Sequence, residues 1–169
     1  PDLVAQVTLN AVSEIGADAA ILFSDLLLPV EPMGLALSFL KGEGPSIVPP
    51  IRSATDVARL RPVDVQDSLG DVLEAVRRTR LALPPGIPLI GFAGAPFTLA
   101  AYMIEGGGSK DFSLVKTFMR TETRAWHSLL GKISRVVSDL LNEQILAGVQ
   151  AVQIFDSWVG VLSPSEYKM

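Results

Sequence analysis

Three short runs of nearly uninterrupted apolar residues most constrain what this chain can fold into. They are Ala19–Phe23, Ile87–Phe92 and Ala151–Phe155, and only Pro88, near the start of the second run where proline is tolerated, interrupts them. Runs of this length without polar alternation are typical of strands buried on both faces. Because amphipathic stretches separate them, the pattern predicts an α/β fold with a parallel sheet and right-handed crossovers.

The stretches between the strands have apolar residues at helical spacing, and glycines end several of them. The predicted strands lie roughly 65 residues apart, well beyond the roughly 30 residues of a minimal strand–helix–strand unit. The extra length therefore falls after the strand ends, where α/β proteins place their sites. The main predicted helices cover residues 3–15, 65–83, 96–105, 113–120 and 122–147, with shorter helices at 26–33, 55–60 and after 163, a weak strand at 35–40 and a loop at 41–50.

The composition excludes several classes of protein. The chain has 169 residues, and its 49% hydrophobic content against 19% charged residues excludes a disordered acidic chain. Without cysteine it has no disulfide framework, thiolate metal site or cysteine nucleophile. Its single histidine, His127, cannot form a multi-histidine metal site alone. The net charge of -4 argues against a nucleic-acid partner.

The mean hydropathy of +0.39 raises the question of a membrane segment. Apolar runs such as Ala19–Phe23 and Leu26–Val30 are far shorter than the roughly 18–20 residues that a spanning helix needs, so we expect no membrane partner. Pro1 is not an initiator methionine, no signal peptide is visible, and Met169 falls where a new helix begins. We therefore expect one domain over residues 1–169, incomplete at both ends and internal to a longer chain.

Polar or glycine-rich segments follow all three predicted strands. Asp25 follows the first, where a carboxylate can stabilise positive charge or accept N–H hydrogen bonds, or can cap a helix at Leu26. The Gly91–Pro96 turn can hold an anion at a helix N-terminus or simply pack tightly. Asp156 and Ser157 follow the third strand and can also be helix caps. Together these segments indicate a site at the carboxyl edge of the sheet.

Other polar residues favour ordinary structural roles when taken singly. Tyr102 is typical of a core tyrosine and Glu105 of a solvated glutamate, although both lie on the helix after the second strand. His127 is expected at a surface or half-buried helix position, and no Ser/His/Asp triad can be assigned. Three arginines at 77, 78 and 80 indicate a solvated helix end more than an anion site.

Four blocks of sequence in chain order resemble the uroporphyrinogen decarboxylase family. The pairing of a Gly-Phe-Ala-Gly-Ala-Pro motif with a Tyr-Met-Ile-Glu-Gly-Gly-Gly motif is far more specific than a lone glycine pattern. The blocks are Phe23-Ser24-Asp25, Gly44-Pro45-Ser46, Ile90–Leu99 with Tyr102–Ser109, and Gln153–Trp158.

This resemblance implies part of a (β/α)8 TIM barrel in a carboxy-lyase of porphyrin, heme and chlorophyll biosynthesis. The enzyme would convert uroporphyrinogen III to coproporphyrinogen III with no cofactor or metal, as a cytoplasmic or plastid homodimer. The resemblance implies that Asp25 stabilises a protonated pyrrole and binds its N–H groups, and that Tyr102 places the reacting acetate. Substrate-binding roles are also implied for Ser157, Phe92, Gly94 and Phe155.

Two alternatives remain at this point. One is a corrinoid or thiol methyltransferase of the same barrel superfamily, which would use zinc with cysteine and histidine ligands. The absence of cysteine in this chain counts against it. The other is a non-catalytic, truncated fragment, because the resemblance places a substrate-binding basic segment and a late histidine outside this chain.

Overall fold

The three strands of the main sheet and the long helices between them follow the order that the sequence predicts. The computed structural model describes residues 1–40, 42 and 44–168, so Lys41, Glu43 and Met169, on which the predicted loop and chain end partly fall, lie outside the described residues. The helices are α1 (Asp2–Ile15), α2 (Ala54–Arg59), α3 (Val65–Ala82), α4 (Pro96–Glu105), α5 (Ser113–Thr121), α6 (Thr123–Ala147) and α7 (Pro164–Tyr167), with a 3₁₀ turn at Val159–Val161. The strands are β1 (Ala20–Ile21), β2 (Ala36–Leu40), β3 (Gly44–Val48), β4 (Leu89–Gly94) and β5 (Ala151–Phe155).

Three strands form one sheet in the order β1-β4-β5. β1 runs parallel to β4, with Ala20 opposite Leu89 and Ile21 opposite Ile90. The predicted parallel sheet with flanking helices is confirmed. β1 is shorter than the apolar run that predicts it, because only two residues pair with β4.

Strand β5 has the predicted bounds, but the prediction that it is buried is wrong. Its residues are exposed except for Phe155, which is half-buried. Val152 is 39% exposed and Ile154 is 50% exposed. β5 is an end strand of the sheet, and the described residues add no strand beyond it.

The chain divides into two compact units, the first of which contains the sheet. Unit 1 comprises residues 1–26, 64–93 and 137–155. Helices α1 and α3 pack against each other within it, and α1 also contacts β1. Apolar side chains from the sheet, α3 and the end of α6 form its core, which consists of Ala20, Leu22, Ala75, Val76, Leu83, Leu89, Ala147 and Val149.

Unit 2 comprises residues 27–63, 94–136 and the chain from Asp156 onward, and it contains an unpredicted hairpin. Strands β2 and β3 pair antiparallel, with Ala36 opposite Val48, so the predicted loop at 41–50 is wrong from Gly44 to Val48. Ile47 is 1% exposed and its N–H donates to the Gly106 carbonyl at 2.9 Å. Docking of the hairpin thus outweighs the loop preference of a glycine- and proline-rich segment.

The predicted short helix over residues 26–33 is also wrong. Residues 26–34 form successive turns, with Val30 N–H donating to Leu27 O at 2.9 Å and Met33 N–H to Pro29 O at 3.2 Å. Pro29 and Pro32 supply no N–H groups, so the helical hydrogen-bond pattern cannot run through this segment.

Helix α4 is buried on nearly all sides, which explains part of the high mean hydropathy. α4 is 10 residues long and buries most of them, which are Phe97, Thr98, Leu99, Ala100, Ala101, Met103 and Ile104. Among the described residues, no helix combines the length and the apolar character that crossing a membrane requires.

Glu166 anchors the start of α7. Its carboxylate accepts hydrogen bonds from the Ser163 N–H and hydroxyl, each at 2.8 Å, and Ser163 in turn caps the helix. Arg120 lies 2.6 Å from the other carboxylate oxygen. The Ser163 N–H, then its hydroxyl and the Arg120 guanidinium, lower the pKa of Glu166 from 4.5 to about 2.

The stability of the folded chain should therefore decrease in acid as Glu166 becomes protonated. Because its pKa is lower in the folded chain, its contribution to stability is complete above about pH 4.5 and is lost as the pH falls toward about 2. An NMR titration of the Glu166 carboxyl carbon should give a midpoint near 2. Ser163→Ala and Arg120→Gln should each raise it without restoring 4.5, since the Ser163 N–H remains. A midpoint near 4.5 in the unaltered protein would contradict this account.

Candidate active site

Asp25 lies just beyond β1 in unit 1. Hydrogen bonds from main-chain N–H groups hold the segment that leads to it. The Leu22 N–H donates to the Ile90 carbonyl of β4 at 3.1 Å. The Phe23 N–H donates to Oγ1 of Thr8 in α1 at 3.0 Å. These bonds fix the chain that leads to Asp25, whose side chain is exposed.

The interpretation of Asp25 as a helix cap is wrong. No helix begins at Leu26, where the chain enters the turns described above. Helix capping therefore cannot be the role of Asp25.

Phe92 and Phe155, both predicted to line the pocket, meet in unit 1. Their ring centroids are 5.6 Å apart and the ring planes are inclined by 74°, the edge-to-face geometry that aromatic pairs favour. Both residues are half-buried. The structure thus brings together these two members of the predicted site.

A buried glutamine amide holds β4 at Phe92. Oε1 of Gln144, on α6, accepts from the Phe92 N–H at 2.8 Å, and its Nε2 donates to the Phe92 carbonyl at 2.9 Å. Gln144 is 2% exposed. A Cβ on Gly91 would lie 2.2 Å from Oε1 of Gln144, so glycine is required for the amide to approach the strand.

Replacing Gln144 should destabilise the full-length protein, because its buried amide is the hydrogen-bond partner of two main-chain groups of Phe92. Gln144→Leu leaves the Phe92 N–H and carbonyl without these partners, and we expect a loss of about 2–4 kcal/mol in the free energy of unfolding by denaturant titration. Gln66 is the matched control, because it is exposed and donates to Glu143 at 3.1 Å. Gln66→Leu should cost less than about 0.5 kcal/mol. Equal effects of the two changes would rule out this role for Gln144.

Two aromatic rings, those of Tyr102 and Phe112, pack against Trp158 in unit 2. The Tyr102 ring lies 5.9 Å from that of Trp158, and the Phe112 ring lies 5.1 Å from Trp158 on centroid distances. The indole Nε1 of Trp158 is buried and has no hydrogen-bond partner among the described residues. Packing rather than a side-chain hydrogen bond therefore holds this indole ring against Tyr102.

The segment after β5 is tied to α4. The Thr98 hydroxyl donates to Oδ1 of Asp156 at 2.8 Å and accepts from the Trp158 N–H at 3.2 Å. The interpretation of Asp156 as a helix cap is wrong, because its carboxylate bonds to Thr98 and the following 3₁₀ turn has no side-chain cap. Ser157 lies between the two tied residues with an exposed side chain.

Gly94 ends β4 and directly precedes Ala95, the cap residue of α4. The cap residue Ala95 has no side chain that can accept from the first turn, and Pro96 occupies the first helical position. Gly94 and Ala95 are buried. Carboxylate binding by the backbone N–H groups near Gly94 stays a prediction.

The triple glycine after α4 is where the hairpin docks. Besides the Ile47–Gly106 hydrogen bond, Ser46 forms a β-bridge with Gly107. Gly106 has a φ of 84°, which favours glycine. Glu105, predicted to be a solvated glutamate, instead accepts from the Val115 N–H at 3.0 Å and stabilises the start of α5.

The three glycines should not tolerate substitution equally. A Cβ on Gly107 would lie 2.8 Å from the Pro45 carbonyl oxygen, whereas one on Gly108 meets no atom within 4 Å. We expect Gly107→Ala to lower the free energy of unfolding of the full-length protein by about 1–3 kcal/mol. Gly108→Ala, the control, should change it by less than about 0.5 kcal/mol. A Gly107→Ala protein as stable as the control would show that the hairpin does not dock as described.

The remaining polar residues considered in the sequence analysis lie at exposed positions or form ion pairs and hydrogen bonds. His127 is exposed, as predicted. Arg78 pairs with Glu74 and Asp2 and lowers the pKa of both carboxylates, and Arg77 also contacts Glu74. Together they confirm a solvated helix end. Arg80 differs, since it donates to the carbonyls of Leu83, Pro84 and Ile87 and to Oε1 of Gln150.

The predicted site residues fall into two groups. Asp25, Phe92 and Phe155 belong to unit 1, and Gly94, Tyr102 and Ser157 belong to unit 2. Sequence reasoning missed the buried polar residues that hold them, which are Thr8, Thr98 and Gln144. Over the described residues, no group of three or more His, Cys, Asp or Glu side chains could hold a metal ion.

The sequence is similar throughout to one family. A family model described as uroporphyrinogen decarboxylase (URO-D) matches residues 1–169. Proteins named uroporphyrinogen decarboxylase from Sorangium cellulosum and Carboxydothermus hydrogenoformans are 53% and 51% identical over 168 residues. Each match covers 99% of this chain and 48% of the relative. The chain thus spans about half the length of the curated relatives it matches.

A solved methyltransferase from Methanosarcina mazei has a similar structure. The TM-score is 0.78, and the match covers 99% of this chain and 50% of that chain at 24% sequence identity. At this identity the likeness shows the fold alone. The predicted fold class, α/β with part of a (β/α)8 barrel, is confirmed.

Proposed function

Because the chain belongs to the uroporphyrinogen decarboxylase family, we propose that the protein containing it removes CO₂ from the four acetate side chains of uroporphyrinogen III to give coproporphyrinogen III. The observation that carries the proposal is the family match over all 169 residues, together with relatives about half identical to this chain. The proposed reaction needs no cofactor or metal.

The chemistry requires a place for an electron pair. When an acetate on a pyrrole loses CO₂, the electrons of the broken C–C bond remain on the adjacent carbon. Protonation of the pyrrole first makes a cationic ring that can accept them. After CO₂ leaves, a second proton converts the former acetate into a methyl group, and the ring then loses the first proton and becomes neutral again. A fixed carboxylate near the ring lowers the energy of the cation more than that of the neutral substrate, so it accelerates the reaction.

Asp25 is the carboxylate that we assign to this role. It follows the carboxyl end of a strand in a parallel sheet, where α/β enzymes carry catalytic residues. The Thr8 and Ile90 hydrogen bonds support the segment before it. The same carboxylate accepts hydrogen bonds from the pyrrole N–H groups.

Substrate binding is assigned to residues that end or follow the other two strands. Gly94 ends β4, and its neighbouring N–H groups bind a substrate carboxylate. Ser157 follows β5 and binds another, while the Phe92–Phe155 pair lines the pocket. Tyr102 places the reacting acetate, and its packing against Trp158 supports a fixed ring position.

Charge places a requirement on the rest of the protein. Uroporphyrinogen carries a carboxylate on every side chain, yet this chain has a net charge of -4. Since opposite charges are needed to bind such a polyanion, the proposal requires cationic residues from the part of the protein beyond this chain. The whole protein acts as a cytoplasmic homodimer under this proposal.

The methyltransferase alternative has less support. The solved methyltransferase is 24% identical, whereas the named decarboxylases are above 50%. Metal analysis of the purified full-length protein separates the two functions, because stoichiometric zinc would favour the methyltransferase.

Asp25→Asn should separate catalysis from binding in the full-length protein. The change keeps the size of the side chain and one accepting oxygen but removes the charge that stabilises the cation. We expect kcat to fall about 100-fold or more while KM changes less than about threefold.

Asp18 offers a matched control for this experiment. It is also an exposed aspartate beside β1, but it precedes the strand instead of following it. Asp18→Asn should leave both kinetic constants unchanged. An Asp25→Asn enzyme with the turnover of the unaltered protein would remove Asp25 from the mechanism.

A further inference from the structure

Thr98 is a fully buried polar residue in an otherwise apolar helix. It is 0% exposed and lies in α4 between Phe97 and Leu99, which are also buried. A buried hydroxyl needs hydrogen-bond partners, and a threonine in a helix commonly finds one in the carbonyl a turn earlier. The Thr98 hydroxyl instead hydrogen-bonds to the segment that follows β5.

The Thr98 hydroxyl acts on that segment both as a donor and as an acceptor. It donates its proton to Asp156 Oδ1 at 2.8 Å and accepts the Trp158 N–H at 3.2 Å. Ser157 is the residue between these two partners. Its backbone is therefore held from both sides, while its side chain remains exposed.

The same face of α4 holds Trp158 a second time. Tyr102 lies four residues after Thr98, so the two side chains are neighbours on the helix surface. Thr98 receives the Trp158 main chain, and Tyr102 packs edge-to-face on the Trp158 ring at 5.9 Å. One helix face thus sets the position of the segment that carries Ser157.

We propose that Thr98 is a positioning residue that holds Ser157 in its substrate-binding place through Asp156 and Trp158. The inference rests on the proposed function, in which Ser157 binds a substrate carboxylate. Thr98 itself is buried and acts only through its two neighbours.

Thr98→Val in the full-length protein tests the proposal, because valine keeps the shape but loses the hydroxyl. We expect KM for uroporphyrinogen III to rise about tenfold with kcat changed less than about threefold. This split is expected because the lost interaction stabilises the bound substrate and the transition state equally. Thr98→Ser restores the hydroxyl and should return KM toward its original value. In a Ser157→Ala background, Thr98→Val should add little, since it acts through the residue already removed.

Thr79 provides a matched control. It is also 0% exposed, but its hydroxyl donates to the Ala75 carbonyl of its own helix at 2.7 Å. Thr79→Val should lower thermal stability without changing KM. An equal rise in KM in the two variants would overturn the proposal, as would an unchanged KM in a folded Thr98→Val enzyme.

Two further measurements cover the remaining outcomes. If Thr98→Val does not fold, Asp156→Ala removes the other end of the hydrogen bond at a half-buried position, and an unchanged KM there overturns the proposal. If the unaltered protein does not decarboxylate uroporphyrinogen, the proposed function fails by itself. Hydrogen exchange then tests the contact directly: the Trp158 amide should exchange faster in Thr98→Val or Thr98→Ala, and an unchanged rate overturns the proposal.

Discussion

The amide of Gln144 is the interaction on which the sheet and the candidate site most depend. β4 is the central strand of the order β1-β4-β5, and Gln144 binds both the N–H and the carbonyl of its residue Phe92. This contact exists because Gly91 has no side chain where the amide must pass. Because Phe92 also packs on Phe155, one buried amide connects a helix, the central strand and an aromatic pair of the predicted pocket.

Buried threonine hydroxyls extend the same principle to the segments after the strands. Thr8, on α1, donates to its own helix at Val4 and accepts from Phe23, two residues before Asp25. Thr98, on α4, uses its hydroxyl for both neighbours of Ser157. Each segment that carries one of these proposed functional side chains is thus tied to a helix through its main chain or a neighbouring side chain. The side chains of Asp25 and Ser157 themselves remain exposed, as their proposed roles require.

Local sequence patterns predict most of the elements but not the long-range contacts. Helical spacing places α1, α3, α5 and α6 within a few residues, and continuous apolar runs do the same for all three strands of the parallel sheet. Such local patterns fail for the β2–β3 hairpin, whose glycines and prolines are typical of loops, because contacts with the end of α4 stabilise the strands. The partners of Gln144 and Thr98 lie 52 to 60 residues away in sequence, so no local pattern identifies them. The threonine within the apolar α4 is the signal in the sequence that indicates a buried hydroxyl in need of a partner.

The exposure of β5 bears on the timing of folding. An end strand with exposed Val152 and Ile154 side chains can accept an extended segment from another molecule. For as long as β5 stays uncovered during folding, newly made copies of the protein are therefore open to edge-to-edge association.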